Sequence, residues 1–436
     1  MYRDLTKGNI LKALLLFSLP MILGNLLQQF YNIADTLIVG RVLGKNALAA
    51  VGSAYTLMTF LTSIFLGLSM GSSALFSIDQ GRQDLKHLKQ SIYHAFVLIM
   101  VVALIVNLFV ILGIDSIMKF LRVPDEIYAG MREYLMIIFL GLIATSLYNF
   151  FACLLRSLGN SSIPLYFLAI FALLNIGLDL LFVAKLHTGI AGAAYATIIS
   201  QYVSGIGITI YVLLKCRQFL PSKEECYYQP RILKEIMSLS FLTCLQQSIM
   251  NFGILMVQGL VNSFGSIVMA AFAAGVKIDT FAYLPVQDFG NAYSTFVAQN
   301  YGANKFERIK KGTRQAFLCS GLFCLIISLL VFIFAKQLMM IFIDAKEIEV
   351  ILSGVTYLHY EGIFYLGIGW LFLFYGYYRA IKKAQISVLL TIISLGLRVG
   401  LAYILSVYFG VIGIWVSIPI GWFIADMVGF YYMKKA

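Results

Sequence analysis

The chain has 436 residues, of which 61% are hydrophobic and only 12% are charged, and its formal net charge is +12. A soluble domain is about half apolar and about a quarter charged, so this composition excludes a soluble globular protein. The apolar runs are long and unbroken rather than alternating in short segments, which excludes an outer-membrane barrel and predicts membrane-spanning helices.

The apolar runs divide the chain into successive spans. A helix needs about 20 apolar residues to cross a bilayer, and by that rule the sequence predicts about twelve spans. They lie at 11–41, 47–77, 90–113, 130–156, 163–185, 190–214, 236–263, 267–299, 314–342, 350–378, 386–408 and 411–433. The expected fold is therefore an all-α integral membrane protein.

The positive charge follows the spans. Most of the 32 Lys and Arg residues fall in short segments on alternate sides of the membrane, which is the positive-inside pattern. Assigning the side that is richer in Lys and Arg to the cytoplasm predicts that both termini are cytoplasmic. No nucleic-acid partner is expected, because no basic run is interleaved with aromatic residues in a soluble segment.

The two halves of the chain repeat one plan. The segment 73–96 aligns with 294–317 at a constant offset of 221 residues, so that Gly81 matches Gly302 and Phe96 matches Phe317. An even number of spans in each half makes the repeats parallel, related by an axis along the membrane normal. The longest polar interruption separates them. We therefore predict an N-lobe at 1–214, a cytoplasmic linker at 215–235 and a C-lobe at 236–436.

The first span carries a carboxylate, Asp35, in the middle of the run FYNIADTLIVG. A carboxylate near the bilayer centre costs about 2.5 to 3.5 kcal/mol on insertion scales, so such a residue marks a functional site when a partner can be named. The partner predicted here is Asp179 in span 5, with Asn175 one helical turn before it.

Other polar residues recur inside the spans of the first half. Thr197 and Gln201 are spaced i,i+4 in span 6, and Asn32 precedes Asp35 by three, so each pair shares a helix face. Span 4 adds Tyr134 and Asn149. Hydrogen bonding between membrane helices explains Asn32, Thr197 and Gln201 at least as well as a functional role does.

Two chemistries are open to the aspartate pair. Two carboxylates, an amide and a hydroxyl can offer several oxygen atoms to a small hard cation such as Na+, which would place a metal ion at Asp35, Asn175, Asp179 and Thr197. Alternatively, two close carboxyl groups can bind and release a proton as one coupled unit.

The second half does not repeat this set. Its charged residues inside apolar runs are Lys277, Asp279, Asp288, Glu361, Arg398 and Asp426. Lys277 could form a structural ion pair with Glu361 or Asp279, or it could contact substrate. Arg398 and Asp426 could pair with each other.

Enzyme motifs are absent from the sequence. It has no P-loop, no GxGxxG after a strand, no GxSxG and no HExxH. The six cysteines show no metal-ligand spacing with histidine. We expect a protein that is not an enzyme, has no cofactor, and without an ATP site uses an ion gradient.

Five short runs stand in order along the chain: ADTLIVG at 34–40, DQGRQ at 79–83, RSLGN at 156–160, NIGLD at 175–179 and QNYGA at 299–303. Together with the two six-span halves they resemble the multidrug and toxic compound extrusion (MATE) family of ion-coupled antiporters, over essentially the whole chain. The resemblance implies a V-shaped molecule whose two lobes alternate between outward-open and inward-open states in the bacterial cytoplasmic membrane.

The resemblance also implies a function and a site. It implies export of cationic, often aromatic, drugs against an inward flow of Na+ or H+. It assigns the N-lobe cation site to Asp35, Asn175, Asp179 and Thr197, with Tyr134 and Asn149 as polar neighbours. Some branches carry a glutamate in span 7, but that region here reads CLQQSIMN at 244–251, without an acid. The remaining candidates for a substrate cavity are Asn32, Gln201, Lys277 and Glu361, and a monomer that contacts only membrane lipid and small molecules is expected.

Two other functions compete with this one. A lipid-linked oligosaccharide flippase of the same superfamily should show more cationic residues facing its cavity, whereas Lys277 and Arg398 are the only cations inside apolar runs. An intramembrane transferase could use Asp35 and Asp179 as acid and base. The duplicated architecture argues against the transferase.

Overall fold

The computed structural model describes residues 3–121 and 123–435. The described residues form helices and connecting segments and contain no strand. The helices are α1 (Ile10–Leu43), α2 (Lys45–Arg82), α3 (Leu85–Phe120), α4 (Asp125–Phe139), α5 (Leu142–Ser157), α6 (Ser162–Asp179), α7 (Gly189–Lys215), α8 (Pro230–Asn262), α9 (Ser266–Gly302), α10 (Phe306–Met339), α11 (Ile348–Gly362), α12 (Tyr365–Ala380), α13 (Ala384–Phe409) and α14 (Val411–Lys435). A π-helical segment, Leu180–Lys185, follows α6, and a 3-10 turn, Arg217–Phe219, follows α7.

These helices confirm the predicted membrane fold. In the described part of the chain, ten are long and apolar enough to cross a membrane, and α4 with α5 makes an eleventh span that is bent by 47°. The tenth predicted span, 350–378, is built from α11 and α12, which are shorter. Spans 4 and 10 are therefore both interrupted, at equivalent places in the two repeats.

The interruption between α4 and α5 lies at Gly141. A Cβ atom on this residue would meet the Gln201 side chain of α7 at 2.1 Å, and Ile198 at 3.1 Å. Only glycine allows α7 to approach the break so closely. Gln201, a predicted cavity residue, thus packs against the backbone of the bend.

One compact unit, the first unit, comprises Leu23–Cys244 together with Arg3. Its core includes Phe65 of α2, Met118 of α3 and Phe139 of α4, all fully buried. The start of α8 also belongs here. Ser72 and Ser240 share a hydrogen bond of 2.9 Å between their hydroxyls, and a Cβ on Gly71 would lie 2.5 Å from Ser240 Cα.

The other compact unit, the second unit, comprises Asp4–Ile22 and Leu245–Ala436. In it α9 packs against α10, α11 and α12, and α13 packs against α14. Phe272 stacks on Trp415 with ring centroids 5.4 Å apart, and the edge of Tyr357 meets the same indole at 4.8 Å. This aromatic cluster fixes α9, α11 and α14 together.

The lobes predicted at 1–214 and 236–436 differ from these units at both ends. The segment before α1 belongs to the second unit because Arg308 donates hydrogen bonds to the carbonyls of Leu5, Lys7 and Gly8 at 3.2, 2.7 and 2.8 Å. The predicted linker belongs to the first unit, where Lys89 pairs with Glu225 at 3.2 Å. The helices α1 and α8 consequently each contribute residues to both units.

Candidate cation-coupling site

The predicted aspartate pair lies within the first unit. Asp179 is the last residue of α6 and is fully buried, and Asp35 lies on α1 with its Oδ1 atom buried. Their carboxyl groups lie close enough to interact electrostatically. Two residues that are 144 positions apart in the sequence are thus brought together by the packing of α1 and α6.

The oxygen atoms of this pair lack hydrogen-bond donors. Both carboxylate oxygens of Asp179, Oδ1 of Asp35 and Oδ1 of Asn175 are buried, and none has a hydrogen-bond partner among the described residues. Buried polar atoms are nearly always satisfied, and a buried anion needs a compensating charge. Acceptors grouped without donors are the environment that a bound cation or a shared proton completes.

A change in helix type follows Asp179 directly. The π-helical segment Leu180–Lys185 begins at the next residue, and the Leu186 N–H donates to the Leu181 carbonyl at 2.9 Å, five residues back. Such wide turns are rare and are found mostly at functional sites. Asp179 therefore lies at the junction between α6 and this segment.

An amide and a hydroxyl extend the site toward α7. Asn175 is 1% exposed, and its Nδ2 donates to Thr197 Oγ1 at 3.4 Å. The Thr197 hydroxyl in turn donates to the Ala193 carbonyl at 3.0 Å. Because Nδ2 is directed to Thr197, Asn175 keeps its carbonyl oxygen available as an acceptor.

Aromatic residues border the pair. Tyr134 of α4 is 7% exposed and lies within interaction distance of both aspartates and of Thr197. Tyr31, one turn before Asp35 on α1, interacts with Asp35 and with Tyr55 of α2. Its ring meets the edge of Phe171 at 4.9 Å. Tyr31 was not among the site residues predicted from the sequence, although its i,i+4 spacing to Asp35 places both side chains on one helix face.

Other predicted residues stand apart from the pair. Asn32 Nδ2 donates to the Tyr55 hydroxyl at 3.4 Å, which joins α1 to α2. Asn149 is half-buried on α5 and makes no hydrogen bond to the pair within the described residues. Gln201 Oε1 is buried without a hydrogen-bond partner at the bend described above. Asn32 therefore fits the hydrogen-bonding alternative.

Of the two alternatives for Lys277, the ion pair with Glu361 or Asp279 is not found among the described residues. Lys277 is exposed, and its Nζ lies 5.7 Å from the centre of the Phe342 ring. Asp279 and Glu361 are 2% and 3% exposed. Lys277 precedes Asp279 by two residues, so the two side chains leave α9 on different faces.

A second group of buried acids lies in the second unit. Asp279 accepts hydrogen bonds from the hydroxyls of Tyr357 and Tyr365. Glu361 lies close enough to interact with both Asp279 and Arg398. The alternative in which Arg398 pairs with Asp426 is not found, since no ion pair joins these described residues. The sequence signal for this cluster is the i,i+4 spacing of Tyr357 and Glu361.

Comparison with known proteins places the chain in a family. A family model described as MatE matches residues 20–181 and 239–404, one stretch in each half. The chain is 30% identical to the "Probable multidrug resistance protein YpnP" of Bacillus subtilis, over 99% of this chain and 96% of the relative. It is 26% identical to the "Probable multidrug resistance protein NorM" of Thermotoga maritima, over 96% of this chain and 90% of the relative.

A solved structure gives the same result for the fold. That structure is described as an outward-facing conformation of a multidrug resistance MATE family transporter of the MOP superfamily. It matches this chain with a TM-score of 0.93 at 23% identity, covering 99% of this chain and 96% of that one. The fold is thus that of a multi-span helical membrane transporter. The chain belongs to the MatE family, whose members are transporters rather than enzymes. The resemblance noted in the sequence is confirmed.

Proposed function

We propose that this protein is an antiporter that exports cationic, often aromatic, compounds in exchange for Na+ or H+, with the pair Asp35 and Asp179 as the coupling site. The observation that carries the proposal is the group of buried oxygen atoms on Asp35, Asn175 and Asp179 that have no hydrogen-bond donor. Relatives named multidrug resistance proteins support the class of cargo.

The electrostatics of the pair explain how a cation would act there. Two ionised carboxylates at close range in a poorly solvated site repel each other. Na+ would be held by oxygen atoms of Asp35, Asn175, Asp179 and Thr197, and a proton would be shared by the two carboxyl groups. In either case the entering ion removes a repulsion between α1 and α6.

Coupling requires that ion and substrate favour different states of one element. We assign that role to α1, because it carries Asp35 and contributes residues 23–43 to the first unit and 10–22 to the second. Binding of the cation at Asp35 would change how α1 packs on α6 and release the cargo outside. Return of the lobes would release the cation inside, with both termini in the cytoplasm.

The surroundings of the pair suit an aromatic cation. Tyr31 lies within interaction distance of Asp35, and its ring makes an edge contact with Phe171. Aromatic faces attract organic cations, most strongly where water is excluded. A cationic cargo and the coupling ion would then compete for the same negative charge, which is the simplest basis for exchange.

The test is dye efflux from proteoliposomes that contain the purified, full-length protein. An H+ gradient and a Na+ gradient are imposed separately on the wild type, Asp35→Asn and Asp179→Asn. Asp115→Asn is the matched control, because Asp115 is an exposed aspartate that pairs with Arg132 at 2.8 Å, away from the site. We expect efflux with one of the gradients, loss of efflux in both site variants, and efflux at the wild-type rate in the control.

Either of two results would contradict the proposal. Efflux by Asp35→Asn and Asp179→Asn at the wild-type rate would remove the pair from coupling. If several dyes show no efflux under either gradient, the result would contradict drug antiport and favour transport of a lipid-linked sugar.

A further inference from the structure

The helices α3 and α10 carry the same stripe of exposed apolar side chains. On α10 these side chains are 55–65% exposed and comprise Leu318, Leu322, Leu325, Leu329 and Ile333. On α3 they lie 221 positions earlier and comprise Val97, Val101, Leu104, Leu108 and Leu112. Both helices are among the most apolar spans, with mean hydropathy of 3.2 for α3 and 2.8 for α10. These stripes are the faces that meet lipid acyl chains.

The two stripes begin differently. On α10 the turns before Leu318 carry three exposed basic residues, Lys310, Lys311 and Arg314. None of the three forms an ion pair with another residue in the described chain. At the equivalent positions α3 has Lys89, Gln90 and Tyr93.

On α3, the equivalent residues Lys89 and Gln90 lie against other parts of the protein. Lys89 Nζ lies 3.2 Å from Glu225 of the linker, and Gln90 is 4% exposed. The repeat therefore keeps the apolar stripe, but at these three positions only the second copy has exposed basic side chains. In α3 one exposed lysine, Lys86, lies a turn earlier. A general requirement for basic residues at this membrane boundary would not produce that difference.

The fold does not use the three basic residues of α10. The opposite face of the same turns holds the segment before α1, through Arg308 and through Lys305, whose Nζ donates to the Thr6 carbonyl at 2.8 Å. At the start of α10, one basic face therefore binds the segment before α1, and the other basic face is exposed. Phe306, 58% exposed, precedes Lys310 by one turn on the exposed side.

We propose that Lys310, Lys311 and Arg314 form a binding surface for the headgroups of anionic phospholipids. Arg314 lies one turn before Leu318, about 6 Å along the axis, so these side chains reach the headgroup layer when the stripe contacts the acyl chains. Basic clusters that adjoin a span bind anionic lipid by charge, and in the predicted orientation this is the cytoplasmic leaflet. Phe306 is placed to sit at the same interface.

The test compares lipid binding by native mass spectrometry of the full-length protein in detergent. Phosphatidylglycerol and phosphatidylcholine with identical acyl chains are titrated separately. The variant is Lys310→Gln with Lys311→Gln and Arg314→Gln. The control removes three exposed lysines outside α3 and α10, Lys215→Gln with Lys223→Gln and Lys434→Gln, and so has the same net charge.

We expect the wild type and the control to prefer phosphatidylglycerol. Since one basic residue at an anionic surface is worth about a fivefold change in binding, the α10 variant should lose between about fivefold and about a hundredfold of that preference. An equal loss in the control would show that net charge alone matters and would overturn the proposal. No preference in the wild type would overturn it as well.

A second measurement needs no variant. Phosphatidylglycerol with a photoreactive acyl chain is cross-linked to the wild-type protein in vesicles, and the labelled peptides are identified. We expect phosphatidylglycerol to label α10 at 318–322 more than α3 at 97–101, and phosphatidylcholine to label both equally. Equal labelling by phosphatidylglycerol would contradict the inference.

Discussion

The amide of Asn175 donates a hydrogen bond to the hydroxyl of Thr197 at 3.4 Å, and this bond joins α6 to α7 beside the aspartate pair. The same amide carries an oxygen atom that has no hydrogen-bond donor among the described residues. Thr197 therefore holds the orientation of a group that would bind the proposed coupling ion, whether or not the hydroxyl would bind that ion itself.

This relationship predicts the effect of substitutions at Thr197. Thr197→Val keeps the shape but removes the acceptor for Asn175, and a hydrogen bond of this kind contributes about 1 kcal/mol. We expect the cation concentration for half-maximal dye efflux to rise about fivefold. Thr197→Ser keeps the hydroxyl, so its cation concentration for half-maximal dye efflux should be close to the wild-type value. An unchanged cation dependence in Thr197→Val would contradict the assignment.

The aspartate pair predicts a link between cation binding and stability. A ligand that binds only the folded protein raises its melting temperature. The coupling cation should therefore raise the melting temperature of the detergent-solubilised wild type. Asp179→Asn removes a like-charge repulsion, so we expect it to melt no lower than the wild type without the cation and to show no cation-dependent rise. A rise equal to that of the wild type would place the bound cation elsewhere.

Two glycines of α2 predict opposite effects of the same substitution. A Cβ on Gly71 would lie 2.5 Å from the Ser240 backbone, whereas a Cβ on Gly52 would meet nothing within 4 Å. Gly52→Ala should stabilise the helix by up to about 1 kcal/mol. Gly71→Ala must push α8 away and should lower the melting temperature by several degrees. Equal melting temperatures for the two variants would show that α8 does not approach α2 so closely.

The tyrosines around Asp279 predict a loss of stability. Tyr357→Phe and Tyr365→Phe each remove a hydroxyl that donates to the buried Asp279 carboxylate. Removing one donor from a buried charged acceptor costs about 1 to 3 kcal/mol. Tyr403→Phe, at a position 49% exposed, is the matched control and should have no effect. Chemical denaturation in detergent measures the difference, and wild-type stability of both buried variants would contradict these bonds.

Most of the fold could be predicted from the sequence because lipid imposes length and hydropathy on each span. The interruptions of spans 4 and 10 could not be predicted. The break at Gly141 depends on the approach of Gln201 from α7, and nothing in the local sequence encodes that contact.

The site was predicted in part for a similar reason. Asp35, Asn175 and Asp179 stand out because polar groups are costly in apolar runs, and helical spacing groups Asn175 with Asp179. The ion pair considered for Lys277 is not found because hydropathy does not reveal which face of α9 is buried. The Asp279 cluster depends on α9, α11 and α12 meeting, and their order in space is a property of tertiary packing.

Because α1 is divided between the two units, the two halves of this chain cannot be expressed as independent polypeptides without separating contacts within a unit. A polypeptide that ends in the linker would carry Asp4–Ile22 without the α10 residues that bind its backbone, while the complementary polypeptide would lack the segment that Arg308 holds. Each half thus places the first part of its first span in the other unit: Asp4–Ile22 belongs to the second unit, and α8 up to Cys244 belongs to the first. Co-expression of separate halves should therefore restore a folded protein where either half alone does not.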